Sequence, residues 1–174
     1  MLKNLNQNNT LENNLYNNIL LLSRNSIFYT KFDLIDTFQN RIYLIFIHVS
    51  FLFIKIKQIK ENKKHKIFHQ KIFDLIFSKI DVNMREIGYG DVTINKNMKL
   101  LVKSFYNILL ECENYDQKSI KSKNTFFSKY LVQNINQKKP NYDLIIKYFD
   151  EYQTFCFDLS SDSVLKGDLN FNYK

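Results

Sequence analysis

The segment Ile42-Tyr43-Leu44-Ile45-Phe46-Ile47-His48-Val49-Ser50-Phe51-Leu52-Phe53-Ile54 decides the fold, and it is bounded by Arg41 and Lys55. An apolar run of this kind fits a buried helix, a buried strand or a membrane span. As helix it rises about 20 Å, short of the roughly 30 Å hydrocarbon core of a bilayer. His48 interrupts it, and no turn residue brackets it as one would bracket a strand. The reading is therefore a central helix, apolar all round because neighbouring helices cover it. Lys55, Lys57 and Lys60 mark its wet end, where cations suit the C-terminal dipole.

Outward from this segment the pattern stays helical. Leu11, Leu15, Ile19 and Leu22 predict a first helix ending near Ser23 to Ser26, with a short helical turn over Ile27 to Phe32. Asp36 or Thr37 is the expected N-cap of the central helix. After a charged connector at 61–66, Phe68, Ile72, Phe73, Ile76, Phe77, Ile80, Met84 and Ile87 form one stripe of a helix over 66–87. Asp74, Ser78, Asp81 and Arg85 run down its opposite face, with Asp81 and Arg85 in the favourable acid-first order. Asn95 is the expected cap of a helix from Lys96 to about Asn114, whose stripe runs from Met98 to Cys112. A further helix is expected over Asn124 to Ile135, and a last one starting with Pro140 as its first residue. The expected architecture is all-α: a single compact domain of about six helices with one central, largely buried helix. Its organisation reads as a disordered segment over 1–10, the helical domain over 11–167 and a tail over 168–174 that packs through Leu169 and Phe171.

Composition limits the function classes. The 174 residues are 45% hydrophobic and 16% aromatic, which excludes a disordered chain, and the net charge is +8. Alanine is absent while Asn, Lys, Ile, Phe and Tyr abound, a pattern of AT-rich codons that weakens any reading of the charge as a nucleic-acid signal. Cys112 and Cys156 read as free buried thiols. Residues 1–18 show neither a secretory signal nor an arginine-rich transit peptide, so the expected location is a bacterial cytoplasm, or the mitochondrial matrix in a eukaryote. His65 and His69, four apart, lack further metal ligands and read as solvated surface histidines, while His48 reads as a hydrogen-bonded core histidine. Gly88-x-Gly90 lacks the third glycine and the strand of a dinucleotide fingerprint. No nucleophile, base and orienter assemble, so an enzyme is not expected. Lysines interleaved with aromatics over Lys118 to Tyr130 fit RNA contact in type, but a solvated face is the plainer reading.

The sharpest signature is Met84-Arg85-Glu86-Ile87-Gly88-Tyr89-Gly90-Asp91, which holds two of the three glycines and one of the three arginines in the chain. Gly88 reads as the residue after the helix, with Asp91 or Asn95 capping the next, so the block is a corner between two amphipathic helices. Arg85, Glu86 and Asp91 are then structural ties first and partner contacts second.

With Phe73-Asp74 upstream, Val92 to Lys96 behind it, and Phe105, Tyr106 and Tyr115 further on, this block resembles the ubiquinol–cytochrome c chaperone family. Phe28-Tyr29, Asp36 to Arg41, Leu44 to His48, Asn134 and Gly167 extend the resemblance over about Leu15 to Phe171. Asn95, Asn107 and Asn40 depart from it, standing where a proline and two glycines are usual. The resemblance implies a non-enzymatic, cofactor-free chaperone of the cytochrome bc complex. Its client would be newly made cytochrome b. A small partner subunit, the ribosome or an anionic membrane surface would be its further contacts, with no specific DNA, and it would sit peripherally at the inner membrane. The residues carried over as partner contacts or structural corner are Arg85, Glu86, Gly88, Tyr89, Gly90, Asp91, Lys96, Phe105, Tyr106, Arg41 and His48. A basic RNA- or ribosome-binding helical module and a membrane-anchored interaction protein remain the alternative readings.

Overall fold

The computed structural model describes residues 10–58, 63–131, 140–167 and 169–173, apart from the side chains of Lys64, Ser161 and Leu165. Eight helices follow one another among the described residues, with no strand: α1 (Leu11–Ser23), α2 (Ile27–Thr30), α3 (Phe38–Gln58), α4 (Lys63–Ile87), α5 (Asp91–Cys112), α6 (Ile120–Tyr130), α7 (Tyr142–Asp158) and α8 (Ser161–Lys166). Six are long. Of the other two, α2 has four residues and falls within the helical turn expected over Ile27 to Phe32, while α8, with six, is a separate helix that the sequence reading did not expect. Residues 1–9, the C-terminal part of the expected 124–135 helix and Asn134 lie outside the described residues.

Helix α3 is the axis of the molecule. Every residue from Leu44 to Ile54 is buried, and α1, α4, α5, α7 and α8 pack around it. By length and composition it is the one described helix able to cross a bilayer. Its apolar surface is instead consumed by the neighbouring helices, which is the hydrophobic driving force of this fold. Thr37 starts it: the Thr37 Oγ1 accepts from the Asn40 backbone N–H at 3.1 Å, as an N-cap should. Asn40, fully buried, turns its amide N–H to the Ile35 carbonyl at 2.8 Å, as a buried polar group requires. At the other end the Lys55 ammonium donates to the Phe157 carbonyl at the C-terminus of α7, and Lys57 pairs with Glu113 at 2.7 Å.

Two aromatic clusters fill the space on either side of α3. Phe46, Phe53, Phe73, Phe77 and Phe105 interlock between α3, α4 and α5 with centroids 4.5–5.9 Å apart. Phe28, His48, Tyr148, Phe149 and Tyr152 do so between α2, α3 and α7, and Phe171 closes that cluster from the C-terminal segment. The 169–173 segment is thus pinned to the core, with Leu169 buried.

Several helix boundaries differ from expectation, each for a local reason. Helix α4 begins at Lys63, inside the expected connector. Helix α6 begins at Ile120 because Ser119 caps it, its Oγ accepting from Ser122 N at 3.2 Å. Pro140 lies outside α7; Asn141 is the cap, accepting from Leu144 N at 3.2 Å. Ser160 opens a separate helix, α8, which Gly167 closes in the left-handed region at φ +76°. A Cβ on Gly167 would come within 2.8 Å of the Leu15 backbone nitrogen, so this glycine also lets α8 lie against α1. Thr10 caps α1 and so belongs to the folded part.

Candidate functional site

The corner between α4 and α5 is built by a two-bond helix termination. Tyr89 N–H donates to the Met84 carbonyl at 3.0 Å and Gly88 N–H to the Arg85 carbonyl at 2.9 Å. That pair of bonds is a Schellman motif, and it puts Gly88 at φ +98°, a region closed to most side chains. Gly90 is different. Its φ of −75° is ordinary and no atom lies within 4 Å of where its Cβ would be. It serves as N-cap of α5, which therefore starts at Asp91 and not at Lys96; Asn95 is an exposed residue of the first turns. A three-residue connector leaves no room for a later start. The Asp91 carboxylate also suits the first turn of a helix.

Arg85 ties the two helices together. Its Nε donates to Asp81 at 2.7 Å and its Nη1 to Asp91 at 2.6 Å. The Asp81 and Asp91 hydrogen bonds hold the guanidinium proton more firmly still. Glu86 takes no part in this tie; it stands exposed on the other side of the turn. Arg41 makes a second tie of the same kind, with Nε and Nη2 donating to the two oxygens of Asp36 at 2.5 and 2.6 Å. That bidentate bond holds the Asp36 carboxyl below its usual range.

Two recesses flank the corner and share Phe38 and Ile42 of α3. One, of about 390 Å³, is bordered by Met84, Tyr89, Leu100 and Leu101. The other, of about 200 Å³, is bordered by Leu20, Ile45, Arg41, Glu86 and Ile87. Around their rims Ile87, Tyr89 and Leu100 stand out into solvent, Ile87 at 59% exposure although the α4 stripe predicted it buried. Ile87 is the last residue of α4, at the helix end that the Gly88 turn closes, where it is left exposed. The corner therefore presents an exposed apolar rim with Arg41 and Glu86 beside it.

The remaining predicted residues fall elsewhere. Phe105 is fully buried, and Tyr106, Phe73 and Phe105 form one ring cluster at 5.5–5.8 Å, so the second half of the sequence signature is packing. Lys96 is exposed on α5. His48 is fully buried and is not a surface contact. Its Nδ1–H donates to the Leu44 carbonyl at 2.7 Å, which leaves Nε2 to accept the Tyr148 hydroxyl at 2.9 Å. Burial drives its pKa down to about 4, so the ring is neutral. His65 and His69 are half-buried rather than fully solvated: both line a recess of about 260 Å³, and His69 lies on the Phe53 ring at 3.8 Å. No group of three or more His, Cys, Asp or Glu converges among the described residues. In the Lys118–Tyr130 segment Phe126, Phe127 and Tyr130 are core residues, closed to base stacking, while Lys123 is buried against Asp150 at 2.7 Å and over the Tyr115 ring. The recess walls supplied by α1, notably Leu20, have no local signal in the sequence, since only the tertiary fold brings α1 beside the end of α4.

Comparison with known proteins agrees with this architecture. No curated protein sequence matches the chain. The crystal structure of the Cbp3 homolog from Brucella abortus superposes with a TM-score of 0.79 at 21% identity, over 94% of this chain and 89% of that one, and so shares the fold. The family profile described as ubiquinol–cytochrome C chaperone matches residues 30–171, a span that contains the corner, α3, the first aromatic cluster and all of the second but Phe28, and leaves Phe28-Tyr29 and α1 outside. The chain therefore belongs to the ubiquinol–cytochrome c chaperone family.

Proposed function

We propose that this protein binds newly made cytochrome b, without catalysing a reaction, and holds it for assembly into the cytochrome bc complex. The observation that carries the proposal is the family match over 30–171, and the most distinctive block within that span, Arg85 to Asp91, forms an exposed corner. Cytochrome b is a helical membrane protein, so a nascent segment of it is apolar and needs cover before it is partnered. The two recesses and the rim of Ile87, Tyr89 and Leu100 supply such cover by the mode in which an amphipathic helix docks in a groove. Arg85, Gly88 and Asp91 fix the shape of the rim, while Tyr89, Glu86 and Arg41 face the client. The protein works peripherally at the inner membrane, because α3, the one described helix apolar and long enough to span it, is already covered.

Deleting the gene tests the role. Spectrally detectable cytochrome b and quinol–cytochrome c reductase activity should both fall, and the wild-type gene should restore them. The variants Ile87→Glu and Leu100→Glu, which alter only exposed side chains, should express as folded proteins and fail to restore them. Full bc-complex activity in the deletion strain would contradict the role, and full rescue by both variants would contradict the site.

A further inference from the structure

The outward face of α5 carries a pattern that the corner does not explain. Val92, Lys96, Lys99, Lys103, Tyr106 and Leu110 follow at intervals of four, three, four, three and four, which places them on one stripe of the helix. The stripe lies opposite the buried face of Ile94, Leu101, Phe105, Ile108 and Cys112. It is about 27 Å long. All six of its residues are exposed, Val92 at 85% and Leu110 at 63%, and Leu100 at 56% sits beside them. The stripe contains no acid. Lys96, Lys99 and Lys103 enter no ion pair among the described residues, whereas Asp91 at one end is held by Arg85 and Glu111 at the other by Lys129 and Tyr130. Three uncompensated ammonium groups thus stand between apolar side chains along one straight helix.

We propose that this face of α5 seats the protein on an anionic lipid bilayer, the helix lying in the plane of the headgroups. Charge and shape both favour that partner. Lysine ammoniums meet the negative surface potential while their stems, with Val92, Tyr106 and Leu110, reach the boundary of the acyl region. Lysines meet RNA phosphates too, but an RNA site adds aromatics on which bases stack; here the stripe has a single ring, Tyr106, which also packs against Phe73, and its other uncharged members are aliphatic. The inference assigns a surface to the peripheral membrane position proposed above. It is tested without the client, so either can fail alone.

The test is flotation of the full chain with vesicles of phosphatidylcholine, or of phosphatidylcholine and phosphatidylglycerol in equal parts. Binding is expected only to the anionic vesicles and should weaken with added salt. Each lysine removed should lower partitioning about fivefold, so Lys99→Gln/Lys103→Gln should lose about 25-fold. Leu110→Ser should weaken binding at low and high salt alike, because its contribution is not electrostatic. Far-UV circular dichroism of both variants should match the wild type, since all three side chains are exposed. In detergent, Lys99→Gln/Lys103→Gln should still recover cytochrome b, which separates this surface from the client site. Failure of the wild type to bind anionic vesicles, or full binding by the folded double variant, would overturn the proposal. So would lysine-dependent binding to a ribosomal RNA hairpin without any vesicle binding.

Discussion

At the scale of single residues, Gly88 and Gly90 look alike in the sequence and differ in what they require. Gly88 sits at φ +98° and closes the Schellman bonds, whereas Gly90 has an ordinary φ and open space around it. Gly88→Ala should destabilise the fold by about 1–2 kcal/mol, and Gly90→Ala by about 0.5 kcal/mol, the poorer N-cap being offset in part by the stiffer unfolded chain, both measured by urea denaturation. His48 gives the second residue-scale prediction. Its folded pKa of about 4 lies below its ordinary 6.5, so the unfolded chain binds the extra proton first as pH falls. The stabilisation is therefore present in full above pH 6.5 and lost progressively between 6.5 and about 4, amounting to about 3 kcal/mol. Unfolding free energies measured from pH 7 to 4.5 should show this slope, and His48→Leu should lack it even though it starts less stable. Neither property was fully legible beforehand. The sequence placed His48 inside an apolar run and so in the core, but its Tyr148 partner lies 100 residues away and only the packing of α7 on α3 reveals it.

At the scale of elements, the long helices were legible because their apolar residues recur with the helical period. Their starts were less so, because a cap depends on which of several polar residues turns its side chain to a free N–H. At α3 the alternatives were Asp36 and Thr37; Asp36 is engaged by Arg41, and Thr37 makes the cap. Thr37→Ala should therefore cost about 1 kcal/mol and lower the melting temperature by about 3 °C. At α5 the cap is Gly90, five residues before the expected Asn95, since the Gly88 termination reverses the chain within three residues and Val92 and Thr93, outside the expected helix, lie inside it. The same error hid the outward stripe of α5, whose first member is Val92. Arg85 shows the converse. Its Asp81 pairing follows from spacing alone, and the structure adds Asp91 across the corner, so one side chain spans the ends of two helices.

At the scale of the whole molecule, the decision between core helix and membrane span rested on length and on His48; α3 runs over 21 residues and is long enough to span, so length does not decide, and the packing of five helices around α3 does. What local pattern could not supply is the pair of recesses, because α1, α3, α4 and α5 meet there from positions far apart in the chain. The family resemblance located the corner, and the three-dimensional fold gave it a surface. The central claim is that this surface holds cytochrome b. The most direct measurement is affinity purification of the tagged, full-length chain from native membranes solubilised in mild detergent, with recovered cytochrome b read by its heme spectrum and by mass spectrometry. The account predicts cytochrome b in the eluate of the wild type and its loss with Ile87→Glu; reproducible absence of cytochrome b from the wild-type eluate would contradict it.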